Sequence, residues 1–476
     1  MDNPSRQLAM AAGLVVLVIF ALLLAHVSPG YFNNEIYLGG LILLQLLIAA
    51  VWKFRNVFFA FLMTTFVWAG VDLPMAEAWT SARWGVLLVG AVVGYVLFIH
   101  DRSRRFHAFH LVAFFSVAAA FVSALVSTYP KTAVLKAISL FMLFLWAGAG
   151  GRLAIHGREA SFFRGLLVAC EMVTAFTAVS YFIFHAQFWG NPNSLGLVMG
   201  IGIAPLLFWG SMVAETRPLR LRRSAAFYVS MILLFYSVSR ASIMGGICAI
   251  AMVCVALRKH KLLLKGAMLA LFCVAVTAIL APDKLASFTD VSTSKVLYKD
   301  HRESGIVGSR KSPWQQTVNV ISQHPWFGSG FGTSPSGRED NSEGMYSSNT
   351  DNSREHGSSY LAIIEWVGLV GIVPFAALLL LLVWKIGQAL AWMSRTRCAD
   401  HPLVPIVLVL LGGFIHAAFE DWLFAVGYYF AVFFWTLAFA LFDVVPVHAP
   451  KSNRMPEFLH PAVFDRVPGI PSRVQS

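Results

Sequence analysis

The chain has 476 residues, of which 58% are hydrophobic and only 13% charged, with a mean hydropathy of +0.68. That is more apolar side chain than a soluble core can hide, which excludes a water-soluble globular protein and places the chain in a bilayer. The formal net charge of +12 does not call for nucleic acid, because the basic residues fall where cytoplasmic loops belong.

From the N-terminus, Met1 to Ala25 carries one basic residue, Arg6, before an apolar stretch, and no small-residue cleavage site before His26. It reads as a retained first helix and not as a cleaved signal peptide. Leu8 to Ala25 is apolar on every face, so the spans are helices and not the alternating strands of a barrel. Apolar runs long enough to cross about 30 Å of hydrocarbon recur along the chain. They begin near residues 8, 36, 57, 83, 109, 132, 164, 194, 224, 241, 262, 358, 403 and 422. The fold class is therefore an all-α polytopic membrane protein with about 12–14 transmembrane helices. One large extracytoplasmic loop separates the fourth-last from the third-last helix. The expected organisation is helices one to about eleven over 1–281, the loop over 282–357, the last three helices over 358–442, and a disordered cytoplasmic tail over 443–476.

With both termini cytoplasmic, 24 of the 36 basic residues lie on the inside and 8 of the remaining 12 lie in the long loop, which is exempt from the charge rule. Between Arg223 and Arg258 stand 34 residues with one charge, Arg240. A single helix of that length would run about 50 Å. Basic ends on both sides predict a hairpin of two short spans, with Ser239, Arg240, Ala241 and Ser242 at its outer tip. In the long loop, Tyr298 to Arg310 and Gly328 to Arg354 are rich in Gly, Ser and Asn and read as loop, whereas Ser312 to Gln323 has helical periodicity. The five cysteines are placed so that none can staple an exported loop.

Three outward features could share one site: Arg240, Gly308-Ser309-Arg310, and Glu355-His356-Gly357-Ser358-Ser359-Tyr360. Two guanidiniums can grip a diphosphate through paired hydrogen bonds, and a neutral histidine can take a proton from a sugar hydroxyl. Taken singly, Arg240 also suits a headgroup anchor, Arg310 a surface ion pair and His356 a solvated loop. Asn191-Pro192-Asn193-Ser194 reads first as a turn and helix cap. His324 to Gly332 reads as an interfacial turn whose glycines permit close backbone approach, with a substrate contact as the second reading. Glu171 and Glu365 lie inside apolar spans, where a carboxylate needs a partner, a proton or a cavity; an arginine partner is expected for Glu365. Glu420 and Asp421 stand outside between the last two spans, positioned to hold substrate or to cap a helix. His26, His185, His301 and His416 have no metal-ligand spacing, and nucleotide-loop and catalytic-serine motifs are missing, so no metal and no cofactor are assigned.

The segment from about Asn191 to Gly371 resembles the bacterial O-antigen ligase and polysaccharide polymerase superfamily. The resemblance rests on Ser239-Arg240-Ala241-Ser242, Gly308-Ser309-Arg310 followed by Trp314, the His324 to Gly332 turn, and His356-Gly357-Ser358-Ser359-Tyr360-Leu361 leading through Glu365 to Gly368-Leu369-Val370-Gly371. It implies an inner-membrane, metal-independent, inverting glycosyltransferase that uses an undecaprenyl-diphosphate oligosaccharide. Arg240 and Arg310 would lie at the diphosphate and His356 at the acceptor hydroxyl, with Asn191, Asn193, His324, Tyr360, Glu365 and Glu420 as substrate-binding candidates. The family often has Asn after the histidine, where this chain has Gly357. The tryptophan-rich loop and Phe419-Glu420-Asp421-Trp422 look most like exopolysaccharide polymerases, with O-antigen ligase as the alternative. The partners implied are the lipid-linked glycan, the bilayer, and chain-length and export proteins. A transporter or flippase of lipid-linked sugar, using Glu171, Glu365 and His416, is the competing class, and a non-catalytic assembly factor a third.

Overall fold

The computed structural model describes residues 106–185, 189, 192–280, 308–335, 355–425 and 429–445, together with scattered positions between 87 and 95. Expectations for the first spans, for Asn191, for most of the long loop and for the tail lie outside the described residues.

Every regular element in this set is a helix. In chain order they are α1 (Ala108–Leu125), α2 (Pro130–Ile155), α3 (Glu159–Phe182), α4 (Pro192–Met212), α5 (Arg217–Tyr236) and α6 (Arg240–Ala256). They continue with α7 (His260–Leu280), α8 (Gly308–Gln323), α9 (Ser359–Thr396), α10 (Leu403–Ala417) and α11 (Tyr429–Val444). Among them α1, α2, α3, α4 and α9 are long and apolar enough to cross a membrane, and most of α6, α10 and α11 is shorter but equally apolar. The protein is an all-α polytopic membrane protein.

The span expected to start near 422 starts at Tyr429 instead. Trp422 to Ala425 continue the apolar run but form a turn, and Trp422, Leu423 and Phe424 are buried in it. The helix expected over 312–323 begins earlier, so Gly308, Ser309 and Arg310 form its first turn and not a loop.

The predicted hairpin is present as α5 and α6, joined by Ser237, Val238 and Ser239. The turn satisfies its own polar groups: Ser237 Oγ donates to Leu234 O at 2.6 Å, Ser239 N–H donates to Ser237 Oγ at 3.3 Å, and the Ser239 and Ser242 hydroxyls are 2.8 Å apart. Val238 turns the chain with φ 54°, a conformation that costs a β-branched residue about 1–3 kcal/mol.

α4 is the central helix, with 83% of its most apolar stretch buried against 28% for α3. It carries a π-helical turn at Val198–Ile203 and meets α6 so closely that a Cβ on Gly246 would lie 2.4 Å from Gly200 O. α6 in turn packs along α10, and α1 along α9. At one end of the bundle, buried Arg152 and Asp443 pair at 3.3 Å and His107 joins Asp443 at 2.8 Å, tying α1, α2 and α11 together. Glu171 of α3 is paired with Arg222 at 2.9 Å and Arg223 at 3.5 Å on α5.

α9 is broken at Gly368, whose φ of 66° and ψ of −174° interrupt the helical ladder. The turn after α8 enters this break. Ser329 N–H donates to Glu365 O at 2.9 Å and Gly330 N–H to Trp366 O at 3.2 Å, while Leu369 and Val370 donate to Pro325 O at 2.8 Å and Trp326 O at 3.1 Å. A Cβ on Gly368 would lie 2.5 Å from Gly328 N and from Trp326 C, so the two backbones can meet only through glycine.

Gly368→Ala should therefore destabilise the protein by at least ~2 kcal/mol. Gly387→Ala, on the same helix with nothing within 4 Å of its Cβ, should be neutral or slightly stabilising. Thermal unfolding of the detergent-solubilised variants checks this pair; equal melting temperatures would contradict the docking of the turn.

Candidate functional site

The end of the bundle away from the Arg152–Asp443 pair gathers the tip of α5–α6, the start of α8, the entry to α9 and the turn between α10 and α11. Arg310 in the first turn of α8 directs Nη1 to Glu355 and Nη2 to Glu420 in two short ion pairs. Arg240, the first residue of α6, is half-buried and close enough to Arg310 for the two charges to interact. Burial alone would lower the Arg310 pKa, but Glu420 and Glu355 outweigh it and hold the guanidinium above its ordinary value.

His356 is buried between two carboxylates. Its Nδ1 and its backbone N–H both lie 3.0 Å from Asp421 Oδ2, and its Nε2 lies 3.2 Å from Glu365 Oε1. Trp366 meets the imidazole edge to face, with centroids 5.3 Å apart. A neutral imidazole has one N–H and can serve only one of these carboxylates; the imidazolium serves both. Burial works to lower the His356 pKa, yet the hydrogen bonds to Asp421 and Glu365 prevail and raise it above 6.5. Asp421 moves the other way: burial would raise its pKa, and the hydrogen bond from His356 holds it below the usual carboxylate value.

Backbone anchors fix these groups. Ser359 Oγ and Ser359 N–H donate to Glu420 O at 2.6 and 3.1 Å, and Ser359 Oγ accepts Leu423 N–H at 3.1 Å, so the start of α9 holds the 420–423 turn. Trp314 Nε1 donates to Gly357 O at 3.0 Å, locking α8 to the chain beside His356. Gly357 has φ 67°, and a Cβ there would stand 3.2 Å from Arg310 Cδ. Asn tolerates that backbone region, but its side chain would crowd Arg310, which gives a physical reason for glycine here.

Of the residues singled out from sequence, Arg240, Arg310, His356, Glu365 and Glu420 come together. Sequence alone pointed to an arginine for Glu365; in the structure His356 stands against it. Asn193 lies in the first turn of α4, next to the α5–α6 tip through Gly196 and Ser239, and Asn191 is outside the described residues. Tyr360 donates to Phe414 O at 2.8 Å and pins α9 to α10. His324 is exposed at the end of α8, and its carbonyl accepts Gly328 N–H at 3.2 Å. Asp421 and Glu355 also belong to the site; the sequence named Glu355 only as part of the 355–360 feature and Asp421 only beside Glu420 as a substrate or capping residue, without the partners they have here. In the turn, neighbouring residues point different ways, so Glu420 reaches Arg310 and Asp421 reaches His356.

Residues 225–376 match the model of the O-antigen ligase family. The match spans about a third of the chain. The ligase-family stretch runs from α5 past the break in α9 and includes Arg240, Arg310, Glu355, His356 and Glu365. Glu420 and Asp421 lie beyond it, and reach the same site by folding back. A search of curated proteins found no match.

If His356 acts as a base, its neutral form must do so, and activity should rise with pH through a pKa lying above 6.5. Asp421→Asn removes the first of the two bonds that raise this pKa. The acid limb should then move to lower pH, while kcat falls by about 10²- to 10⁴-fold as Nδ1 loses its orienting carboxylate. A pH–rate profile of purified variant and wild type checks this; an unchanged acid limb would remove Asp421 from the role.

Proposed function

We propose that this protein is an inner-membrane glycosyltransferase that polymerises undecaprenyl-diphosphate-linked oligosaccharide repeats on the periplasmic side, in exopolysaccharide or O-antigen biosynthesis. The observation that carries the reading is the meeting, at one end of the bundle, of Arg240, Arg310, His356 and Glu365 from the stretch that matches the ligase family with Asp421 from beyond it. Alternation of the described helices supports the sidedness: the basic segments around Arg158, Arg217–Arg223, Arg258–Lys261 and Arg395–Arg397 fall at the opposite helix ends.

In this reading the donor diphosphate lies across Arg240 and Arg310. Guanidiniums offer forked donors that match phosphate oxygens, and they neutralise the charge that grows on the diphosphate as the glycosyl bond breaks. Asp421 holds His356 by Nδ1, and Nε2, which faces Glu365 Oε1 at 3.2 Å, takes the proton of an acceptor hydroxyl that comes between them. The oxygen attacks the anomeric carbon from the face opposite the leaving diphosphate, so the configuration inverts. Asp421 and Glu365 then stabilise the imidazolium. No step in this scheme requires a metal, because the two arginines carry the electrostatic load. Transport has less support, since among the described residues the buried ionic sets lie toward the two ends of the bundle.

Arg240→Ala and Arg310→Ala should each cut transfer at least ~100-fold with normal membrane levels, and Lys should rescue poorly, because a point charge lacks the fork. A strain carrying only His356→Ala, compared with the deletion strain, separates the readings by its glycan profile. Accumulated single lipid-linked repeats without polymer support the polymerase. Long polymer retained on the carrier would assign the chain to ligation onto lipid A core instead, and a wild-type profile would sink the enzyme reading of His356.

A further inference from the structure

Arg310 is held by two carboxylates of unequal exposure. The Glu420 side chain is only 5% exposed, and its own carbonyl is anchored twice by Ser359. The Glu355 side chain is 33% exposed and reaches Nη1 from the water-facing edge. Among the described residues, Arg240, Arg310 and His356 stand among Glu355, Glu365, Glu420 and Asp421. Even with His356 counted as charged, the carboxylates among the described residues outnumber the cations, so a diphosphate at Arg310 competes with carboxylates already paired there. A diphosphate reaching Arg310 must displace one of its two carboxylates, and of these Glu355 is the more exposed and, among the described residues, lacks a backbone anchor like the one Ser359 gives Glu420.

We propose that Glu355 competes with the donor's diphosphate for the Nη1 edge of Arg310, so that donor binds by displacing this carboxylate, and that Glu355 thereby sets donor affinity and product release. The inference rests on reading the arginines as a diphosphate clamp. Glu420 keeps Nη2 throughout and holds the guanidinium in place during the exchange. The exchange also answers a difficulty in the chemistry. When the glycosyl bond breaks, the lipid diphosphate that leaves has gained an ionisable oxygen, so a fixed arginine clamp would hold product more tightly than donor. A carboxylate waiting beside Nη1 competes with that product and speeds its departure.

The test uses the full chain in detergent and farnesyl diphosphate as the probe, with binding measured by calorimetry. Glu355→Gln should bind it about fivefold more tightly than wild type, the scale of a partly exposed ion pair. Glu355→Asp, which keeps the charge, should stay near the wild-type value, and Glu420→Gln should bind more weakly because Arg310 loses its anchor. Arg310→Ala should lose binding. If Arg310→Ala loses binding but Glu355→Gln is unchanged or weaker, the competition is wrong and the clamp stands. Equal tightening in Glu355→Gln and Glu420→Gln, or in Glu355→Gln and Glu355→Asp, would also overturn it, because bulk charge or side-chain length would then be the cause. If Arg310→Ala binds like wild type, the clamp itself fails and this proposal with it. Melting curves on each variant confirm that the binding values refer to folded protein.

Discussion

The site depends on an exchange of backbone hydrogen bonds between the turn at 325–330 and the broken helix α9. Non-helical backbone inside an apolar bundle survives only where its amides and carbonyls find partners, since neither lipid nor hydrocarbon side chains supply any. Ser329, Gly330, Leu369 and Val370 provide the amides that close this account, with carbonyls from Glu365, Trp366, Pro325 and Trp326. One geometric consequence follows for the chemistry. Glu365 offers its carbonyl to the turn and its carboxylate to His356, so the position of the acid beside the imidazole is fixed by the same bonds that seat the turn. Arg310 is coupled to this arrangement too, because the helix that carries it leads directly into the turn.

Much of this was legible in the residues, and the failures have physical causes. The α5–α6 hairpin could be read from a single arginine between two basic ends, because charge placement relative to the bilayer is a one-dimensional property. The need of the 324–332 segment for glycine was legible for a similar reason. The break in α9 was not: Gly368-Leu369-Val370-Gly371 is apolar throughout, and what interrupts the helix is a backbone segment from elsewhere in the chain. The start of α11 was misplaced because Trp422, Leu423 and Phe424 are as apolar as a span, although they are buried in a turn. Hydropathy reports that a segment avoids water, and is silent on whether it does so as helix.

Partner choice was the least legible feature. Glu420 and Asp421 are neighbours with the same chemistry, and one serves Arg310 while the other serves His356. Nothing local distinguishes them; the division arises because the turn between α10 and α11 is pinned by Ser359, with one side chain on each flank. Glu355 was named with the histidine it precedes but given no partner, because that partner lies 45 residues earlier in the chain. Ionic partners across such separations are set by packing, and packing is decided by the whole bundle.

The balance of charge links the two halves of the site. His356 lies between carboxylates that raise its proton affinity, and this makes it a stronger base but one more often protonated near neutral pH. An anionic donor brought to Arg240 and Arg310 adds negative potential near the same imidazole, in surroundings where screening by water is weak. On the proposed reading, the base is therefore strongest when the donor is present. The leaving group's growing charge favours the imidazolium as the acceptor proton arrives, so glycosyl departure and proton transfer reinforce each other. The carboxylates around Arg310 serve the opposite need: they make the clamp's hold on any diphosphate conditional, which lets a site built to stabilise a leaving anion release it.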